Sequence, residues 1–293
     1  MTVAIYGRPT KDNITPQIIS LFDKLNKLGM DVCVFHPFYS FLKQNAQLGN
    51  SIVKTFSSFE DLLNNVDFVL SVGGDGTMLE TVALVRNSAI PILGINTGRL
   101  GFLASVSKDE IDEALNALVN KKYNLDSRTL LNLETQNSLY GDLNFALNEI
   151  TIQKKDSAAM LSIHAYINGD FLNSYWADGL IIATPTGSTA YSLSCGGPII
   201  IPDSKSFIIT PIAPHNLNVR PLVISDSDVI TLKVEGRNPN FLVSLDSRSE
   251  VIDSSIELTI KKEKFGINLI RLPGQDFMTT LRNKLLWGLD KRN

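Results

Sequence analysis

Gly73-Gly74-Asp75-Gly76-Thr77 places three glycines around one carboxylate, directly after the β-branched and aromatic run Phe68–Val72. Glycine lacks a Cβ, so such a loop turns sharply and lets a ligand approach the backbone. A helix is expected to start near Met78, and its free N–H groups and positive dipole end favour a phosphate. A carboxylate inside an anion loop is repulsive unless it works, and two tasks suit it. Asp75 can accept a proton from a sugar hydroxyl, or help to hold Mg²⁺ bridging the phosphates. Thr77 and Glu80 also have the spacing of a capping box, which accounts for part of the segment. Capping does not account for three glycines and an acid at the C-terminal end of a strand, where α/β sheets bind ligands. Alone, the loop indicates phosphoryl transfer.

A second loop, Asn96-Thr97-Gly98-Arg99-Leu100-Gly101-Phe102, also follows a strand; Phe102 suits either a base or ribose, or the core. The densest polar cluster is Asp178-Gly179 with Thr184-Pro185-Thr186-Gly187-Ser188-Thr189-Ala190-Tyr191-Ser192. Pro185 and Gly187 set a turn, Ser188 or Thr189 is expected to cap a short helix, and the hydroxyls can read ribose and base edges without charge. Tyr191 adds an aromatic face for a nucleoside. Asn148-Glu149 interrupts the apolar strand pattern Phe145–Ile152. A polar pair there needs satisfaction, either by a nucleoside or, on an edge strand, by water.

These loops need a frame. Val3–Tyr6, Val32–Phe35, Phe68–Val72 and Pro91–Ile95 read as buried strands. Between them lie helix signals: Thr15-Pro16 to Gly29, a capping box at Ser57 and Glu60 before a short helix, and another at Ser107 and Glu110 before a helix through Val119. Strand and helix in alternation give a parallel sheet covered by helices. From about Leu125 the texture becomes many short strands, including Ser162–Ile167, Phe171–Trp176, Leu180–Ala183, Val229–Val234, Phe241–Leu245 and Ile256–Ile260. With turns such as Asn168-Gly169-Asp170, these suggest a β-sandwich. Phe277–Leu289 returns to helical period and is placed back on the first domain. The expected domains are 1–124, with 275–293 packing on it, and 125–274.

Composition narrows the function classes. The 293 residues carry a net charge of −3 with no Lys/Arg cluster, which argues against nucleic acid and anionic membranes as partners. No apolar run approaches the ~18 residues of a membrane span. Cys33 and Cys195 are isolated, and His36, His164 and His215 lack metal-ligand spacing, so no structural metal site is expected. The first residues run directly into a strand pattern, and a cytoplasmic location is expected. His164, within a strand pattern, reads as structural. No Gly-x-Ser-x-Gly elbow suggests a hydrolase, and Gly7-Arg8-Pro9 after the first strand is not the dinucleotide fingerprint of dehydrogenases.

Taken in order, these segments resemble the NAD kinase family. The resemblance rests on Gly73–Thr77, Asn96–Phe102, Asn148-Glu149, Asp178-Gly179 and Thr184–Ser194, supported by Pro214-His215, Arg220-Pro221 and the closing helix with Trp287. It implies the fold of NAD kinases and diacylglycerol kinases: an N-terminal Rossmann-like α/β domain plus an all-β sandwich. It also implies Mg²⁺–ATP as donor, the 2′-hydroxyl of the adenosine ribose of NAD as acceptor, and a homodimer or homotetramer. Carried over by position, Asp75 resembles the proton acceptor, in a nucleotide loop with Gly74, Gly76, Thr77 and, from the second loop, Phe102. Asn148 and Glu149 resemble residues that hold adenosine. Asp178 resembles a nucleotide contact often supplied by a neighbouring subunit, and Thr189, Ala190, Tyr191, Ser192 and Ser194 resemble the nucleoside-binding turn. The chain departs from the family at Trp176, often basic in relatives, and at Arg248, where many have Gln. A lipid or sugar kinase sharing the glycine loop, or an NADP(H)-binding module, is the alternative.

Overall fold

The computed structural model describes residues 1–10, 15–45, 54–63, 66–98, 101–155, 160–236 and 239–287. Arg99 and Leu100 of the second loop and Leu289 of the expected last helix lie outside them. The chain divides into two compact units, 1–127 with 267–293, and 128–266.

The first unit is α/β. Its elements are β1 (Thr2–Gly7), α1 (Thr15–Lys27), β2 (Asp31–Phe35), α2 (His36–Asn45), β3 (Lys54–Phe56), β4 (Phe68–Gly73), α3 (Asp75–Val85), β5 (Ile92–Asn96), α4 (Ile111–Val119) and β6 (Asn124–Arg128). After the second unit the chain returns as β19 (Ile267–Arg271) and α6 (Phe277–Leu285). The sheet order is β3-β2-β1-β4-β5-β19-β6. Strand order reverses at β1, with β2 on one side and β4 on the other, both parallel to it. Ligand sites of open α/β sheets lie beyond the strand ends at such a reversal, and the glycine loop follows β4 there.

Apolar stripes of the helices close over this sheet. Leu21 and Leu25 of α1, Phe38 and Leu42 of α2 and Leu115 of α4 are buried with Val3, Ile5, Leu70 and Leu93. Each such side chain contributes about 1.5–3 kcal/mol by leaving water. The capping box of Ser107 and Glu110 forms as expected, the Glu110 carboxylate accepting the Ser107 N–H at 2.8 Å. Among the described residues the short helix expected after Ser57 does not form. Asp61 accepts both Ser57 and Ser58 N–H groups, and residues 58–63 make a turn instead. Helix α2 was not legible from periodicity, although Pro37 sits where a first helical turn tolerates it.

The second unit is a sandwich of two six-stranded sheets. Its strands are β7 (Leu131–Glu134), β8 (Phe145–Ala146), β9 (Glu149–Lys154), β10 (Leu161–Ile167), β11 (Asp170–Ala177), β12 (Gly179–Ala183), β13 (Ser206–Ile212), β14 (Leu222–Ser225), β15 (Ile230–Gly236), β16 (Asn240–Leu245), β17 (Arg248–Asp253) and β18 (Leu258–Lys262). A short helix, α5 (Tyr191–Ser194), follows β12. One sheet runs β11-β10-β15-β18-β7-β8 and the other β14-β13-β12-β9-β16-β17. Their inner faces share one core that includes Ile163, Leu232 and Leu258 from the first and Ile152, Ile182, Phe207 and Phe241 from the second. Asn168 and Gly169, at φ 52° and 91°, turn β10 into β11 as the sequence suggests.

Two expectations change here. The strand read as Phe145–Ile152 is two strands in different sheets, β8 and β9, and the chain crosses between sheets at Leu147-Asn148. The second boundary also falls at 266/267 and not 274/275, because Ile267–Arg271 pairs with β5 in the α/β sheet.

Candidate functional site

In the first unit, β4 ends at Gly73 and α3 begins at once with Asp75, Gly74 being its N-cap. The Thr77–Glu80 capping box therefore does not form. Glu80 instead takes the Tyr6 hydroxyl at 3.2 Å and pairs with Arg8 at the end of β1. Gly74 and Gly76 are exposed, with open space where a Cβ would point, so the loop presents bare backbone to solvent. Thr77 is half-buried and its N–H bonds to the Gly74 carbonyl.

Asp75 is half-buried, and its carboxylate binds the second loop. Oδ2 accepts the Phe102 N–H at 2.8 Å; Oδ1 accepts those of Leu103 and Ala104 at 3.1 and 3.0 Å. A Cβ at Gly101 would lie 1.8 Å from Oδ1, so the approach needs glycine there. The two glycine-bearing loops are thus tied by the one acid that the sequence singled out. With a single hydrogen bond, Oδ2 keeps acceptor capacity. Phe102 is half-buried, with the Lys284 ammonium of α6 5.9 Å from its ring centroid.

In the second unit, the crossing at residues 147–149 gathers the remaining motifs. Asn148 and Glu149 are 8% and 9% exposed, and β9 lies between β12 and β16, so an edge pair facing water is excluded. On the carbonyl side, Thr184 Oγ1 donates to Leu147 O at 2.6 Å and Thr184 N–H to Asn148 O at 2.9 Å. The Thr184 hydroxyl also accepts the Gly187 N–H, and Gly187 lies flat against Asn148. On the amide side, Asp246 of the β16–β17 turn accepts the N–H groups of Leu147, Asn148 and Glu149 at 2.8, 2.8 and 3.2 Å. Sequence reasoning missed Asp246, which reads as an ordinary turn residue. It also missed Arg128, which donates to Thr186 Oγ1 at 3.2 Å.

The polar turn is built as residues 186–189 in 3₁₀ form followed by α5. Neither Ser188 nor Thr189 caps α5: Ser188 Oγ donates to Pro185 O and accepts the Ile200 N–H, and Thr189 Oγ1 donates to Thr186 O. Ser192 is fully buried, its hydroxyl 2.8 Å from that of Thr210. Thr189 and Ala190 are half-buried; Tyr191 and Ser194 are exposed. The Tyr191 hydroxyl accepts from Gln153 at 2.9 Å. Asp178 pairs with Lys154 at 2.7 Å, close enough that its charge acts on Tyr191.

The electrostatics single out Glu149. Burial, then the negative charge of Asp246, push its carboxyl up to about 8; the Tyr191 backbone N–H opposes this. Its Oε2 is buried and has no protein partner. Burial also raises Asp246, against the lowering pull of three amides and the Arg248 charge. The folded chain then holds a proton that the unfolded chain, titrating near 4.5, releases. Stability accordingly falls as pH rises from about 4.5 to about 8, then levels off. Glu149→Gln should flatten this slope, as checked by denaturant unfolding at pH 5.5 and 8.5; an unchanged slope would assign it to other groups.

The other singled-out residues are structural in their contacts. Arg248 donates to Leu143 O and Phe145 O and lies over the Phe145 ring, 5.4 Å from its centroid. Trp176 is half exposed and packs on His215 at 5.6 Å. His164 Nδ1 sits 2.7 Å from Ser174 Oγ on the neighbouring strand, as its strand position suggested. Among the described residues no three His, Cys, Asp or Glu side chains gather as a metal site, and no helix is long and apolar enough to cross a membrane.

Residues 3–123 match the ATP-NAD kinase N-terminal domain and residues 147–272 the ATP-NAD kinase C-terminal domain. The chain belongs to the NAD kinase family. The NAD kinase of Flavobacterium psychrophilum is 52% identical over the whole of both chains, and that of Cytophaga hutchinsonii 49%. Among solved structures, yeast NADH kinase complexed with NADH superposes with a TM-score of 0.88 at 25% identity, covering 98% of this chain and 88% of that one. An NAD kinase from Archaeoglobus fulgidus in complex with ATP gives 0.77 at 28% identity, covering 98% and 99%. The resemblance read from the loops and the two-domain NAD kinase fold it implied are thereby established, and the chain is a phosphotransferase of this family.

Proposed function

We propose that this kinase transfers the γ-phosphoryl group of ATP to the 2′-hydroxyl of the adenosine ribose of NAD, giving NADP and ADP. Full-length identity of about half to proteins named NAD kinase carries the reading, and the chemistry of both loop systems agrees with it. The loop Gly73–Thr77 offers exposed backbone at a helix start for phosphates. Gly74, Gly76 and Thr77 line that loop, and Asp75 orients the ribose hydroxyl and accepts its proton as it attacks in line. Phe102, held by the same carboxylate, supplies apolar surface for the nucleotide.

Asn148 and Glu149 hold the adenosine part. The bare Oε2 of Glu149, in its protonated form, has a hydrogen bond to give to a sugar or base acceptor. Thr189, Ala190, Tyr191, Ser192 and Ser194 surround the nucleoside, and Asp178 adds a polar contact. Mg²⁺ enters as part of the ATP substrate. Magnesium bound mainly through phosphates and water needs few protein ligands, which leaves Asp75 available as the proton acceptor. We further place the enzyme in the cytoplasm as a homodimer or homotetramer; half-exposed Trp176 and almost fully exposed Leu217 support association.

Incubation with NAD, ATP and Mg²⁺ should yield NADP, read by an NADP-specific dehydrogenase. A diacylglycerol and a sugar acceptor tested in parallel should remain unphosphorylated. NADP absent while either of these is phosphorylated would replace the reading by that of a lipid or sugar kinase.

A further inference from the structure

Asp246 occupies the first position of the two-residue turn between Leu245 and Arg248, at φ 53°. This left-handed conformation is uncommon for side-chain-bearing residues but tolerated by Asp and Asn. The turn leaves Asp246 partly exposed, yet both carboxylate oxygens face the chain crossing from one sheet to the other. At that crossing the amides of Leu147, Asn148 and Glu149 all point to one acceptor group. Asp246 N–H in turn donates to the Glu149 carbonyl at 3.0 Å. Charge-assisted bonds of this kind are stronger and more directional than neutral ones. Four bonds therefore define the posture of three consecutive residues, one of which carries a buried oxygen with no protein partner.

We propose that Asp246 is a positioning residue for the acceptor site, fixing through the Leu147–Glu149 amides the orientation in which Asn148 and Glu149 receive the dinucleotide. The proposal rests on the reading of Asn148 and Glu149 as dinucleotide-holding residues. Asp246 touches no reacting group itself. Its negative charge also acts on Glu149, so its removal has a signature that loss of a brace alone lacks. The other titratable or charged groups around the pair are Tyr191 and Cys195 of the α5 segment, Arg248 of β17, and Asp178 with Lys154 beside Tyr191.

Asp246→Asn keeps the turn preference but turns one acceptor oxygen into an N–H₂ group aimed at amide donors. Steady-state kinetics should show KM for NAD raised about tenfold, the size of one lost charge-assisted bond, with KM for ATP unchanged and kcat within about threefold. The limb of the NAD-affinity pH profile assigned to Glu149 should move to lower pH. Calorimetric NAD titration should show the tenfold loss shrinking to less than twofold when Asp246→Asn is added to an Asn148→Ala/Glu149→Gln double variant. Asp246→Gly, which suits the backbone and deletes the carboxylate, should weaken NAD equally and serves if the Asn variant does not fold. Unchanged NAD affinity in folded Asp246→Asn, or a full tenfold loss on top of the double variant, would overturn the positioning role. Unchanged NAD affinity in the double variant alone would instead remove the acceptor reading of Asn148 and Glu149, and the proposal with it.

Discussion

Asp75→Asn is expected to bind NAD as the parent does while turning over about 10²–10⁴-fold more slowly. The carboxylate is the only one in the glycine loop and keeps acceptor capacity on Oδ2. The structure gives it a second task that the variant also touches, because the same group accepts three amides of the loop at Phe102–Ala104. Asparagine can keep the two bonds to Oδ1 through its carbonyl, but its N–H₂ group faces the Phe102 N–H. The two tasks separate in the measurements. Loss of the proton acceptor lowers kcat at saturating ATP and NAD, whereas a loosened loop raises KM for ATP. Steady-state NADP formation at varied ATP reads both, and calorimetric NAD binding checks that the acceptor is still held. A variant that keeps more than a tenth of parental kcat would leave Asp75 as a loop brace and nothing more.

The second large effect is expected at Gly187. A Cβ there would stand 2.1 Å from the Asn148 carbonyl oxygen, 2.5 Å from its carbon and 2.7 Å from Cα. These are backbone atoms, and they have little freedom to yield. The carbonyl accepts the Thr184 N–H, and the Asn148 amide is held by Asp246. Gly187→Ala must therefore push the polar turn off the crossing or pull the crossing off Asp246. We expect a loss of about 3 kcal/mol in unfolding free energy, at the upper end for overpacking, and NAD affinity lowered by at least about tenfold in the folded fraction. Denaturant unfolding followed by calorimetry measures both. Parental stability with parental affinity would show that the turn can shift without cost, and that its tight seat on Asn148 is not needed for binding.

Both predictions concern residues that the sequence displayed openly, yet the reasons for their size were hidden in it. Three glycines and an acid after a strand are legible because strand, turn and helix start are local patterns. The hairpin at Asn168-Gly169 and the capping box at Ser107 and Glu110 are legible for the same reason. Where a local pattern had two outcomes, tertiary context chose. Asp61 captured the amides that a helix after Ser57 would have freed for capping. Glu80 was drawn to Arg8 and Tyr6 of the neighbouring strand, and left Thr77 without its capping partner.

By itself, the sequence determined the kind of chemistry and the two textures of the chain, because glycine geometry, hydroxyl clustering and apolar period act over a few residues. The partners that give each polar group its role were decided only on folding. Asp246 and Asn148 are 98 residues apart, and nothing near either shows that β9 and β16 will be neighbours. Whether Glu149 faces water or lies buried beside a second acid also follows from that pairing, since burial and nearby charge are properties of the packed sheets and not of the strand that carries it.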